Sequence, residues 1–246
     1  MAEKQNYEKI VIVAFGGPSS SGKTTSAKAV NALIKNSRLV HLDDFYYPDH
    51  DIPIDPTTNL PNWDCPEAIN FPRFTQYIKD IRDGKNLDEV IDTMEPDTDL
   101  KLSETDEELL LKEIAHNIPN LDKSLLVLVD GFMLFHDPEI IQLFDVRLFF
   151  HASYKTLKQR REARKGYNTV EGFWVDPPNY FEDMVWPAYE ISHKYLFENN
   201  DVNGRLKQSY RNDLRIREIR NETGYHLYTL VKWSLEAIYS QFQECR

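Results

Sequence analysis

A chain of 246 residues with 41% hydrophobic content can bury a sizeable core, while a formal net charge of -11 leaves no basic face for neutralising a run of nucleic-acid phosphates. No apolar stretch approaches the ~20 residues that a bilayer-spanning helix needs, and the opening Met-Ala-Glu-Lys-Gln-Asn-Tyr-Glu-Lys lacks the pattern of a secretory signal. Two cysteines, Cys65 and Cys245, make neither a disulfide framework nor a metal-ligand spacing, so the expectation is a cytoplasmic protein, with nuclear access open, that takes small molecules rather than nucleic acid or membrane as partners.

In chain order, Ile10 to Phe15 is a β-branched run suited to a buried parallel strand. It runs into Gly17-Pro18-Ser19-Ser20-Ser21-Gly22-Lys23-Thr24, a full match to the phosphate-cradling loop G-x-x-x-x-G-K-[ST], with Thr25 following. A helix from Thr24 to Ile34 is predicted next. Its unpaired backbone N–H groups and positive dipole end suit a polyphosphate, Lys23 would reach the β- and γ-phosphates of ATP, and Thr24 offers a hydroxyl to Mg²⁺.

Leu39 to Leu42 reads as a second strand running into Asp43-Asp44-Phe45-Tyr46. In phosphoryl transfer a carboxylate beside the acceptor hydroxyl orients it and takes its proton, and Asp43 is the candidate; an Asp at this place also caps turns. Asn62-Trp63-Asp64-Cys65-Pro66-Glu67-Ala68 sets an aromatic ring beside a carboxylate ahead of a predicted helix, for which Asp64 could be the N-cap. Acidic residues then concentrate from Asp88 to Asp122, including Asp97, Asp99, Glu104, Asp106, Glu107 and Glu108. There the spacing of Leu109, Leu110, Leu111, Ile114 and Ile118 predicts a surface helix after a loose loop.

Leu125 to Val129 predicts a third strand ending at Asp130-Gly131, the strand-plus-acid arrangement that holds a Mg²⁺ shell or its waters, or else a simple turn. Val146 to Phe150 predicts a fourth, followed by a basic helix in Lys155 to Lys165. Arg160 and Arg164 share one face at i, i+4 and Arg161 points elsewhere, so one face can meet ATP phosphates while the adjacent arginine meets the acceptor; a solvated basic helix has the same composition. A fifth strand is expected at Tyr195 to Phe197 or at His226 to Leu230, and Val231 to Phe242 reads as an amphipathic closing helix.

These blocks, with Lys-Gln-Arg-Arg-Glu-Ala-Arg, Val-Asp-Gly-Phe-Met-Leu-Phe and Asp-Pro-Pro-Asn-Tyr-Phe, come in order between about residues 10 and 200 and together resemble the nicotinamide riboside kinases, in a fungal-type form. The resemblance implies an α/β fold of P-loop NTPase type, a parallel sheet flanked by helices with a small mobile lid. It implies one kinase domain over residues 1–246, with an acidic insertion at about 86–122 and a lid at about 160–178. The implied reaction is transfer from ATP, with Mg²⁺, to the 5′-hydroxyl of nicotinamide riboside and of nicotinic acid riboside, in NAD synthesis.

By the same resemblance Asp43 is the proton acceptor and, with Thr24, a Mg²⁺ contact, while Asp64 and Arg161 hold the ribose hydroxyls and Arg160 and Arg164 meet ATP. Asp44, Phe45, Tyr46, Asp130 and Asn168 complete the acceptor side. Trp63 and Tyr167 bracket the nicotinamide ring, whose positive charge suits aromatic faces. Asp130 departs from relatives that carry glutamate there, one methylene longer, a gap that water can bridge. The rival readings are a uridine or cytidine kinase of the same architecture and a nucleotide-binding regulator that transfers nothing; a GTPase lacks support because no Asn-Lys-x-Asp segment is present.

Overall fold

Alternation along two strands sets the architecture. In β1 (Lys9–Gly16), Ile12 and Ala14 face one apolar cluster and Val11, Val13 and Phe15 face the other. The computed structural model describes residues 7–85, 87, 91–96, 102–118 and 121–243, so Cys245 and, of the acidic stretch, Asp88, Asp97 and Asp99 lie outside the described residues.

After β1 come α1 (Lys23–Leu33), β2 (Ser37–His41), α2 (Phe71–Arg82), α3 (Glu104–Asn117), β3 (Ser124–Gly131), α4 (Pro138–Ile141), β4 (Val146–His151) and α5 (Tyr154–Glu162). A two-stranded hairpin of β5 (Tyr167–Asn168) and β6 (Phe173–Trp174) follows, then a wide π-type turn at Phe181–Val185, α6 (Trp186–His193), α7 (Gln208–Asn212), β7 (Ile216–Arg220) and α8 (Leu227–Gln243). The main sheet has the order β2-β3-β1-β4-β7 with every pairing parallel. Leu125, Val127 and Val129 of β3 join one cluster and Leu126 and Leu128 the other, so the sheet is buried on both faces as parallel sheets require. Residues of α1, α3 and α8 cover one face; α2, α4 and α6 contribute to the other.

All carboxyl ends lie along one edge, and the chain order reverses beside β1, where open α/β sheets gather ligands. Register sets Asp130 opposite Phe15 of β1 and His41 of β2, which carries the acid of β3 to the phosphate loop.

The fifth strand is neither expected segment. Ile216–Arg220 holds that place as an edge strand, and three of its five residues, Arg217, Glu218 and Arg220, are charged, leaving no apolar run to notice. Lys194–Leu196 is a 3₁₀ turn and Leu227 already begins α8, four residues before the expected start. The helix expected in the acidic stretch is α3, capped by Ser103, whose hydroxyl accepts from the Asp106 N–H. Leu110 and Ile114 are buried, with Ile118 beyond the helix end, while Leu109 and Leu111 are exposed.

Candidate active site

The phosphate loop is fixed by sterics. Gly17 has φ +131° and a Cβ there would lie 1.8 Å from the Phe150 carbonyl oxygen; Gly22, the N-cap of α1, has φ +94° and a Cβ would lie 2.4 Å from the Asn221 side-chain nitrogen. Only glycine suits both places. Buried Asn221 donates through Nδ2 to the Ser21 carbonyl at 2.8 Å, pinning the loop to the end of β7. Arg160 adds bonds to the carbonyls of Asn221 (3.0 Å) and Ser20 (3.4 Å). The Ser20 and Ser21 hydroxyls are buried with no hydrogen-bond partner. Unsatisfied donors at a helix N-terminus, next to a lysine only 8% exposed at position 23, form an anion-binding concavity.

Two acids meet this loop. Asp130 is buried, and its Oδ2 accepts from Nδ1 of buried His41 at 3.1 Å. Burial would raise its pKa, but the His41 bond and the Lys23 charge outweigh that and hold Asp130 ionised below its usual range. Burial likewise opposes a proton on His41, yet its bond to Asp130 wins and raises the imidazole. Asp43 is set differently: burial and then the neighbouring Glu95 carboxylate push it up to about 7, against the pull of Lys23. A carboxylate poised near neutrality suits proton transfer.

At the acceptor end, Arg161 is buried and gripped on two sides. Its Nε and Nη2 donate to the two oxygens of Asp176 at 2.6 and 3.1 Å, and Nη1 and Nη2 reach those of buried Asp64 at 3.3 and 3.4 Å. Nη1 also donates to the Ser19 hydroxyl at 2.9 Å, linking this group to the phosphate loop. Burial disfavours the guanidinium charge, but Asp64 and Asp176 hold it well above its ordinary range. Tyr167 lies over the guanidinium at 4.4 Å, with Arg164 at 5.3 Å. Trp63 packs edge-on to Tyr46 at 5.4 Å and tilted to Trp174 at 6.0 Å; its indole N–H and the Tyr167 hydroxyl are buried with no partner. Such groups suit a ligand that supplies the missing contacts.

One cavity of about 460 Å³ collects most of these groups, while Asp130, His41 and Asp176 stand outside its lining. Ser19, Lys23, Thr24 and Thr25 line it from the phosphate side, and Tyr46, Trp63, Asp64, Arg161, Arg164, Tyr167 and Asn168 line it together with Asp43. Gly17, Pro18, Ser20, Ser21 and Gly22 shape the loop behind, and Arg160 braces the loop without lining the cavity.

Two expected acceptor residues turn away. The turn after β2 is a 3₁₀ helix, Leu42–Phe45, in which positions i and i+3 share a face, so Phe45 follows Leu42 into the core against Phe74 and Tyr77. Asp44 instead accepts from the Thr93 hydroxyl and the Met94 N–H. Sequence reading missed His41, Asp176, Asn221, Phe132, Trp174 and the segment Met94–Pro96. Phe132 and Trp174 line the cavity; Phe132 stands within the Val-Asp-Gly-Phe-Met-Leu-Phe block and Trp174 two residues before the Asp-Pro-Pro-Asn-Tyr-Phe block, so position after Asp130 and after the arginines was the available signal. Asn221 acts through a contact with a residue far along the chain, which no local pattern reports, whereas Asp176 opens the Asp-Pro-Pro-Asn-Tyr-Phe block and lies 15 residues from Arg161.

No family model matches the chain. A nicotinamide riboside kinase of Saccharomyces cerevisiae is 38% identical over 94% of this chain and 96% of its own length, and one of Schizosaccharomyces pombe is 38% identical over 96% and 99%. Among solved structures, a putative fructose transport system kinase from Silicibacter superposes with a TM-score of 0.39 at 16% identity, over 65% of this chain and 73% of that one, too slight a likeness to support more. Identity at this level over nearly the full length of both yeast proteins shows that the chain belongs to the nicotinamide riboside kinase family.

Proposed function

We propose that the protein transfers the γ-phosphoryl group of ATP to the 5′-hydroxyl of nicotinamide riboside, with nicotinic acid riboside as a second acceptor, giving the mononucleotide used in NAD synthesis. The observation that carries this reading is the single cavity shared by Lys23 and Thr24, by Asp43, and by Trp63, Asp64 and Arg161; the named relatives supply the nucleoside.

Asp43 takes the proton of the 5′-hydroxyl as the P–O bond forms, and Lys23 with Arg160 and Arg164 stabilises charge on the phosphates. Asp64 and Arg161 hold the ribose hydroxyls, and the rings of Trp63 and Tyr167 flank a pyridinium that carries positive charge. Asp44 and Phe45 serve that side by shaping the turn that aims Asp43. Asn168 belongs to the segment at about 160–178 that closes as a lid over a single kinase domain and excludes water.

The residues suit Mg²⁺: Asp130 Oδ1 is a buried carboxylate oxygen with no hydrogen-bond partner, Thr24 and Asp43 add hard oxygen donors to the cavity, and both are close enough to Asp130 for their groups to interact. Thr24 and Asp43 would hold the ion, with Asp130 orienting its waters. When bound, Mg²⁺ neutralises charge on the phosphate oxygens.

The test is phosphorylation by purified protein with ATP and Mg²⁺, offering nicotinamide riboside, uridine and cytidine side by side. A kcat/KM for nicotinamide riboside well above the other two supports the reading. Preference for a pyrimidine nucleoside would overturn the substrate, and no transfer to any of them would leave a nucleotide-binding regulator.

A further inference from the structure

Part of the acidic insertion is built into the site. Thr93–Pro96 has no secondary structure of its own, yet five hydrogen bonds tie it to three distant elements. Asp44, next to Asp43, accepts from the Thr93 hydroxyl at 3.1 Å and the Met94 N–H at 2.9 Å. Lys28, one helical turn beyond Thr24 on α1, donates to Glu95 at 3.2 Å and to the Pro96 carbonyl at 2.7 Å. Asn168 of the β5–β6 hairpin donates to the Met94 carbonyl at 2.8 Å. Met94, Glu95 and Pro96 thereby form a wall of the cavity.

We propose that Thr93–Pro96 is a strap that positions the acceptor side of the site, and that Glu95 is its positioning residue, latching the strap to α1 through Lys28. The inference rests on the kinase reading of the cavity. The Lys28 and Glu95 side chains are only 13% and 23% exposed, so removing one charge leaves the other poorly solvated and the segment without its one ion pair to α1. A loop held by such ties shifts when one is cut. Because the same segment grips the residue beside Asp43 and the hairpin beside Tyr167, a shift moves the base relative to the acceptor hydroxyl. The phosphate loop is fixed separately by Gly17, Gly22 and Asn221, so ATP binding does not depend on the strap.

The test is steady-state kinetics of Glu95→Gln, of Lys28→Glu, and of the charge-swapped pair Lys28→Glu with Glu95→Lys, with thermal melting alongside. Glu95→Gln is expected to raise KM for nicotinamide riboside about tenfold and lower kcat a few-fold, with KM for ATP changed less than about twofold. The swapped pair should regain most of what Lys28→Glu loses, as coupled partners do. Unchanged nucleoside kinetics in Glu95→Gln would overturn the proposal. So would equal losses for both substrates with a lowered melting temperature and no recovery in the swapped pair, since that marks a structural tie only. If the wild-type protein prefers uridine or cytidine, the substrate reading fails by itself, and the strap is judged by the same variants with the preferred nucleoside.

Discussion

The two ends of the cavity are built by different means. At the phosphate end the shape belongs to backbone: two glycines at positive φ, a helix N-terminus and one asparagine clamping a carbonyl. At the acceptor end it belongs to side chains, with a buried arginine between two carboxylates and a set of aromatic rings drawn from separate loops. A backbone site binds what every nucleotide shares, its phosphates, and is lost when the chain path changes. A side-chain site discriminates among acceptors and fails when one group is removed.

The sharpest break of the acceptor end is Arg161→Ala, which leaves Asp64 a buried, unpaired carboxylate and Asp176 with only the Trp174 indole N–H, and should cost about 3 to 5 kcal/mol of stability in chemical denaturation. Combining Arg161→Met with Asp64→Asn and Asp176→Asn should recover much of that loss while leaving the enzyme unable to hold its nucleoside, because the cost lies in the unpaired charge. At the phosphate end Gly17→Ala forces a side chain into a left-handed conformation and into the Phe150 carbonyl, with a loss of about 3 kcal/mol and of ATP binding measured by titration. Its failure should track ATP, whereas that of the arginine set tracks the nucleoside.

The two acids beside the phosphate loop differ as well. Asp43 acts as a base only when ionised, and its pKa is raised to about 7, so kcat/KM for the nucleoside should fall about tenfold per pH unit below that value. Asp130 stays ionised across the same range because His41 and Lys23 hold it below its usual pKa, and it contributes no inflection there. A profile flat from pH 8 to about 5 would contradict the assignment. The smallest effect is expected from Trp63→Leu, which keeps apolar volume but removes the π face: nicotinamide riboside should weaken by about 1 kcal/mol, and ATP and uridine less.

The phosphate end was legible because its signal is local: strand, loop and helix occupy consecutive residues from Lys9 to Leu33. Asp43 and Asp130 were legible as polar residues closing apolar runs. Phe45 was not, because a 3₁₀ turn separates neighbours that a linear motif groups together. β7 was hidden by its charged edge, where Arg217, Glu218 and Arg220 mask a strand that buries little besides Ile216. Residues such as Asn221 and Glu95 owe their place to hydrogen bonds or ion pairs across long stretches of chain, and spacing along the sequence carries no trace of them.

The most direct measurement is Asp43→Asn, with binding and turnover followed separately. The substitution keeps the shape and removes the base, so affinity for ATP and nicotinamide riboside should stay within about threefold while kcat falls about 10²- to 10⁴-fold. Turnover near that of the unaltered protein would show that Asp43 does not accept the proton, and the cavity would need another base.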